Sequence, residues 1–245
     1  MAQGRLSHAL GELLLTVGIL ISLFAFYESY WTNIVSHKLQ QQVNENLEES
    51  WSNQRNIKIP ELGDAFARLY VPRFGTDFHY AILEGAEEAQ LIAGPGRYPA
   101  TQQPGEKGNF AIAGHRVGKG APFNDLGALK TCDALVVETP ATWEIYRVLP
   151  ISGSESTDCF GEKQAAVQNR YSHVAGRHIT VPTDISVIAP VPGEDTAAPA
   201  APEALITLTT CHPQFSNAER MIVHGMLVES LPKQAGNPPA VLKEN

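Results

Sequence analysis

Residues 204–225 read ALITLTTCHPQFSNAERMIVHG and place a cysteine where an apolar, β-branched run ends. Arg220 opens a second such run nine positions after Cys211. If the two runs are neighbouring strands, thiol and guanidinium meet at one rim of a sheet. That pair suits acyl transfer: a thiolate attacks a carbonyl, and a cation steadies the charge that develops on oxygen. Such chemistry also needs a proton carrier. Residues 109–116, NFAIAGHR, supply His115 in a similar strand-end setting. Gly114 before it permits close approach of another chain or a ligand. His212 follows the cysteine directly, so its side chain points away from the thiol if the strand continues. His224, inside the second run, carries no signal of its own.

These residues need a scaffold, and the pattern around them is that of a β protein. Candidate strands are residues 67–71, 79–83, 109–113, 134–138, 144–150, 178–181, 205–210 and 221–229, separated by the turn signals PGR, PGEKG, GKGAP and PVPG. Short helices are expected at 87–91 and 122–129. About eight strands with few helices indicate a closed barrel or a sandwich. The net charge of −8, with no basic cluster, argues against nucleic acid as a partner. Cys132, Cys159 and Cys211 show no CxxC spacing, so neither a zinc ribbon nor a thioredoxin-type centre is expected, and no cofactor or metal is implied. An odd cysteine count in an exported chain leaves one free thiol.

The N-terminus sets the compartment. Residues 9–31 read ALGELLLTVGILISLFAFYESYW and approach the ~20 residues needed to cross a bilayer. Tyr27, Tyr30 and Trp31 resemble an interfacial aromatic belt, and no small-x-small cleavage site follows the apolar run. An uncleaved single-pass anchor with its N-terminus inside is expected, putting the remainder outside the cell. The organisation read from the sequence is a cytoplasmic N-terminus (1–8), an anchor (9–31), a helical or loose stalk (32–56), a folded domain (57–231) and a disordered Pro/Gly-rich tail (232–245). Val35, Leu39, Val43 and Leu47 give the stalk a four-residue apolar spacing. Residues 152–177 and 182–204 are long irregular segments of the kind that carry binding on a rigid β scaffold.

TLTTC-HP-x-F followed by Arg220, with GNFAIAGHR upstream, resembles the sortases, the cysteine transpeptidases of Gram-positive cell surfaces. The resemblance covers residues 60–228. RYPATQQPGEKGNFAIAGHR and APFNDL are most similar to class E, the housekeeping type. It implies an all-β fold with short helices, an eight-stranded sortase-like barrel preceded by the transmembrane helix. It also implies roles. Cys211 attacks the Thr–Gly carbonyl of a sorting signal near the C-terminus of a secreted protein and forms a thioacyl enzyme. His115 exchanges protons with the leaving and incoming amines, and Arg220 holds the substrate and its oxyanion. The incoming amine belongs to a peptidoglycan precursor. Class E resemblance further implies a Leu-Ala-x-Thr-Gly signal in preference to Leu-Pro-x-Thr-Gly. Tyr98 is the matching contact to the amide that alanine has and proline lacks, and Thr210 is a second hydroxyl. Residues 182–204 match the loop that shapes the groove.

Two features depart from the class. Residues 152–177 look like an insertion, and Cys132 stands where a turn glycine is more usual. A Cys132–Cys159 disulfide pinning the insertion is the resulting expectation. LPKQAG at 231–236 echoes a sorting signal, but no apolar segment follows it. A pilin-polymerising sortase is the alternative within the family. An L,D-type cysteine transpeptidase fits less well, since its arginine lies two residues after the cysteine. A non-catalytic membrane-tethered β adhesin needs no Cys–His–Arg set.

Overall fold

The computed structural model describes residues 2–52, 59–152, 155–194, 202–234 and 236–244. The expected start of the folded domain at Ile57, and the Pro/Ala-rich residues 195–201, lie outside them. The chain opens with helix α1 (Ala2–Phe26), passes through a π-turn (Tyr27–Trp31) and continues as helix α2 (Thr32–Ser52). Residues 8–26 have a mean hydropathy of 2.2 and bury none of that span against protein, so α1 is long and apolar enough to cross a membrane.

Helix α2 does not dock through the expected apolar row. Of that row only Leu47 is buried, while Val35 is 42% exposed. The docked face is largely polar, with Ser36 and Gln40 buried beside Leu47. The Gln40 side chain accepts from the Ala81 amide at 2.8 Å and donates to the Ala93 carbonyl. Arg68 donates to Asn44 Oδ1 at 3.2 Å and pairs with Glu48 at 3.1 Å. Buried amide and guanidinium groups are held where each finds a partner, a signal that hydropathy does not carry.

Nine strands follow among the described residues: β1 (Ala65–Tyr70), β2 (His79–Glu84), β3 (Gly96–Arg97), β4 (Gly108–Ala113), β5 (Ala134–Glu138), β6 (Thr142–Val148), β7 (Arg177–Thr180), β8 (Ala204–His212) and β9 (Glu219–Pro232). Their order is β6-β5-β1-β2-β3-β4-β8-β9, and β9 pairs back to β6, which closes an eight-stranded barrel. Strand β7 is the ninth. It shares the far edge of β9 with β6, β7 facing Arg220–Val223 and β6 facing Gly225–Pro232. Between β2 and β3 lies the short helix α3 (Glu88–Leu91), and α4 (Gln164–Gln168) lies between β6 and β7.

The barrel interior is filled by alternate residues of each strand, as period-2 geometry requires. Leu69, Ile82, Phe110, Ile112, Leu135, Val137, Ile206, Leu208 and Val223 meet there, all fully buried. The opposite parity of β8, namely Leu205, Thr207, Thr209 and Cys211, therefore faces outward. Leu205 joins a second core with Phe160, Val167, Tyr171 and Val174 from the segment expected to be an irregular insertion. That segment thus packs on the outside of β8 and β9. Cys132 and Cys159 are joined by a disulfide with Cα atoms 5.8 Å apart, which ties it to the β5 entry turn.

The tail differs from its expected disorder. Strand β9 extends to Pro232, so Leu231 and Pro232 of the sorting-signal echo pair with Trp143 and Thr142 in the sheet. A 3-10 turn, Ala240–Lys243, then buries Val241 against Val136, Trp143 and Ile145. Glu244 pairs with Arg147 at 3.0 Å. An apolar side chain that finds a surface groove overrides a Pro/Gly-rich composition.

Candidate active site

Strands β4 and β8 run parallel in register, Ala113 opposite Thr209. His115 and Cys211 each stand two residues beyond that pair. Both line the same cleft, His115 from the turn that leaves β4 and Cys211 from the end of β8. On the other side of β8, Cys211 is the direct antiparallel partner of Arg220. Imidazole, thiol and guanidinium therefore sit side by side on the outer face at one barrel rim. They line a cleft of about 580 Å³ together with Glu88, Tyr98, Thr209, Asn217 and others.

Each group has a support. Gly114 donates to the Thr209 carbonyl at 3.1 Å, which joins the start of the histidine turn to β8. A Cβ on Gly114 would lie 2.6 Å from the Phe123 ring, so the close neighbour at this glycine is a buried aromatic. The Phe123 amide in turn donates to the His115 carbonyl at 3.0 Å. The Cys211 thiol donates to Asn217 Oδ1 at 3.2 Å, and Arg220 Nη1 donates to the Asn217 carbonyl at 3.3 Å. Asn217 thus bridges thiol and guanidinium across the β8–β9 turn.

His115 is mostly buried, its side chain 17% exposed, with Nε2 3.6 Å from Glu88 Oε2. Burial pushes the imidazole below its usual range, the nearby Lys119 ammonium adds to that, and Glu88 opposes both. The ring is consequently held neutral more readily than a free histidine. His212 faces away from the cleft, where Arg116 contacts its Nδ1 and also donates to the Cys211 carbonyl at 3.3 Å.

Tyr98 and Thr210 have different surroundings. Tyr98 follows a buried Arg97–Glu84 pair with contacts of 2.7 and 2.8 Å, and its hydroxyl lies 2.9 Å from Thr209 Oγ1 in the cleft. The Thr210 hydroxyl donates to the Gly114 carbonyl at 2.8 Å from a buried position. Its proton is used within the wall, and the free hydroxyl parity on the Cys211 side belongs to Thr209. The sequence reading did not single out Glu88 or Asn217. Glu88 is brought to His115 by the β2–β3 connection, a long-range placement no local pattern announces. Asn217 lay within the motif itself, its reach to the thiol visible only once the turn is folded.

Among the described residues no group of His, Cys, Asp and Glu is arranged to hold a metal ion. A thiol, an imidazole and a guanidinium in one cleft are groups that covalent acyl chemistry can use as nucleophile, proton carrier and oxyanion partner.

A closed β-barrel bearing cysteine, histidine and arginine at one rim defines the class of protein. The chain matches the sortase domain over residues 69–228, and it belongs to the sortase family. It is 33% identical to sortase SrtE1 of Streptomyces coelicolor over 96% of this chain, which spans 61% of that protein's length. It is similar to the SrtF sortase from Corynebacterium diphtheriae, with 53% identity, a TM-score of 0.71, and coverage of 79% of this chain and 98% of that one. A structure of sortase E1 from Streptomyces coelicolor with a tripeptide in its active site gives 30% identity and a TM-score of 0.56, covering 75% of this chain and 99% of that one.

Proposed function

We propose that the chain is a membrane-anchored cysteine transpeptidase of the class E type, cleaving a C-terminal sorting signal between Thr and Gly. The carrying observation is the pairing of Cys211 with Arg220 across β8 and β9, with His115 lining the same cleft. Cys211 attacks the threonine carbonyl as the thiolate, and Arg220 compensates the oxyanion. His115 protonates the departing glycine amine and is left neutral, the state its burial favours. The neutral ring then accepts a proton from the incoming amine of a cell-wall precursor. The tripeptide in the active site of the Streptomyces relative supports reading this cleft as a peptide site.

Helix α1 is the membrane anchor in this reading. Its N-terminus lies inside, and Tyr27, Tyr30 and Trp31 occupy the outer interface. The cleft faces outward on the cell surface. Tyr98 contributes to the choice of signal. Its hydroxyl oxygen, 2.9 Å from Thr209 Oγ1, has a lone pair for the backbone N–H that Leu-Ala-x-Thr-Gly offers and Leu-Pro-x-Thr-Gly lacks, whichever of the two hydroxyls donates to the other.

The test is cleavage of quenched peptides carrying either signal, with an added amine. Thr–Gly cleavage that vanishes in Cys211→Ala supports the reading. Folded protein that cleaves neither peptide would count decisively against it.

A further inference from the structure

The cleft carries charge unevenly. Of its lining residues, Arg116, Lys119 and Arg220 are cationic, and Glu88 is the one carboxylate among the described lining residues. Glu88 sits on the histidine side, away from the Cys211–Arg220 pair. One of its oxygens contacts the Lys119 ammonium, and the other stands 3.6 Å from His115 Nε2. That separation is too long for a hydrogen bond, and Nε2 is buried without a hydrogen-bonding partner. A nitrogen about 2.8 Å from both atoms completes the triangle at ordinary hydrogen-bond lengths. The Glu88 side chain is 59% exposed, so a group arriving from solvent reaches it.

Lys119 shows what the carboxylate accepts. Its backbone has φ +51°, between two glycines that also take positive φ. The loop is fastened to α2, with Lys119 N donating to Thr32 Oγ1 at 3.2 Å and Gly120 N to Asn33 Oδ1 at 2.9 Å. A primary alkylammonium belonging to the chain itself thus rests on Glu88 at the edge of the histidine pocket.

We propose that Glu88 is the acceptor-binding residue of the transpeptidase, taking a primary ammonium in place of Lys119 and presenting it to His115 Nε2. This rests on the transpeptidase reading and adds the site of the second substrate. The ammonium gives one proton to neutral His115 Nε2. The freed nitrogen lone pair forms the C–N bond to the thioester carbonyl, the C–S bond breaks, and its electron pair returns to the Cys211 sulfur. The second proton shed by nitrogen passes to that sulfur, leaving an amide, a thiol and a protonated imidazole. Arg220 repels an ammonium at the thiol end of the cleft, so the lone carboxylate directs it to the side where the proton acceptor stands.

The test uses the full chain in detergent with a cleavable sorting-signal peptide and glycinamide as acceptor. The reading is the glycinamide concentration at which aminolysis and hydrolysis products are equal. Glu88→Gln is expected to raise that midpoint about fivefold, a factor typical of a partly exposed ion pair, and Glu88→Asp to recover part of it. Lys119→Met removes the internal competitor and is expected to lower the midpoint by a similar factor. An unchanged midpoint in Glu88→Gln overturns the proposal, as does movement of both variants in the same direction, which marks a merely structural effect on His115. If Glu88→Gln loses cleavage altogether, Lys119→Met decides alone, and its unchanged midpoint overturns the proposal. Wild-type protein that fails to cleave the peptide overturns the transpeptidase reading itself, a result distinct from all of these.

Discussion

Cys211, His115 and Arg220 stand at the ends of three strands because rims are where a rigid sheet can present side chains without a covering layer. Their supports differ in kind. Asn217 joins thiol and guanidinium by two hydrogen bonds, one through its side chain and one through its carbonyl. Asn217→Ala is expected to keep the carbonyl contact and lose the acceptor of the thiol proton. That bond favours the thiol over the reactive thiolate, so the rate of Cys211 acylation is expected to rise, about fivefold for one ordinary hydrogen bond. Single-turnover peptide cleavage measures it. Tyr98→Phe removes the hydroxyl beside Thr209 and is expected to reduce the preference for Leu-Ala-x-Thr-Gly over Leu-Pro-x-Thr-Gly, also about fivefold. A kcat/KM ratio for the two peptides that stays at the wild-type value would place Tyr98 as wall alone. At this scale the sequence was informative where chemistry is local: TTC, AGH and the arginine announce themselves. Thr210 shows the limit. Its hydroxyl and that of Thr209 are equivalent on paper, and only the strand's parity shows that one is bonded into the wall and the other faces the cleft.

Elements set that parity. Strand β8 was readable because it is a run of apolar and β-branched residues from Ala204 to Thr210, whereas β3 has two residues and exists through its pairing with β2 and β4. Pairing of that kind leaves no periodicity to read. The histidine turn depends on Gly114. Gly114→Ala would drive a methyl into the Phe123 ring, and overpacking of this kind costs about 1–3 kcal/mol. Denaturant unfolding is expected to show that loss, with peptide cleavage falling further than stability because His115 shifts with the turn. The segment between β6 and β7 was read as polar and irregular. Its Phe160, Val167, Tyr171 and Val174 stand seven, four and three residues apart, a helical spacing set among polar residues, and they converge on Leu205 and Met226 although the α-helix formed there, α4, is short. The Cys132–Cys159 disulfide, between residues 27 apart in sequence, ties the start of this segment to the turn before β5. The double variant Cys132→Ala/Cys159→Ala is expected to lose about 2–4 kcal/mol of stability while Cys211 still acylates. An unchanged unfolding midpoint would show that the segment packs without its staple.

For the molecule as a whole, a buried polar layer lies behind the cleft on the same outer face. His224 is fully buried, with Nδ1 2.9 Å from Thr207 Oγ1, which also donates to Asn109 Oδ1 at 2.8 Å. Asn109 holds the carbonyls of Val187 and Ala189 at 3.2 and 3.0 Å, which anchors the base of the long β7–β8 connection. Burial, aided by the neighbouring His178, pushes His224 down to about 3. Below the ordinary histidine value of about 6.5 the unfolded chain binds a proton that the folded chain excludes, so stability falls as pH drops toward 3. From this group the loss between pH 7 and pH 5 is about 2 kcal/mol. Chemical unfolding at the two pH values is expected to show it, and His224→Gln to flatten the difference; equal pH dependence in both proteins would contradict this account. Helix α2 binds the barrel through polar side chains and leaves the cleft lining free of its residues, which fixes the site's attitude to α1 without covering it. The central claim, that Cys211 is the nucleophile of an acyl transfer, is tested most directly by intact mass. Protein mixed with a sorting-signal peptide and no amine, then quenched in acid, should carry one adduct equal in mass to the peptide through its threonine. Fragmentation should place it on Cys211, and hydroxylamine should remove it. Peptide cleavage with no such adduct, or an adduct that persists in Cys211→Ala, would contradict the account.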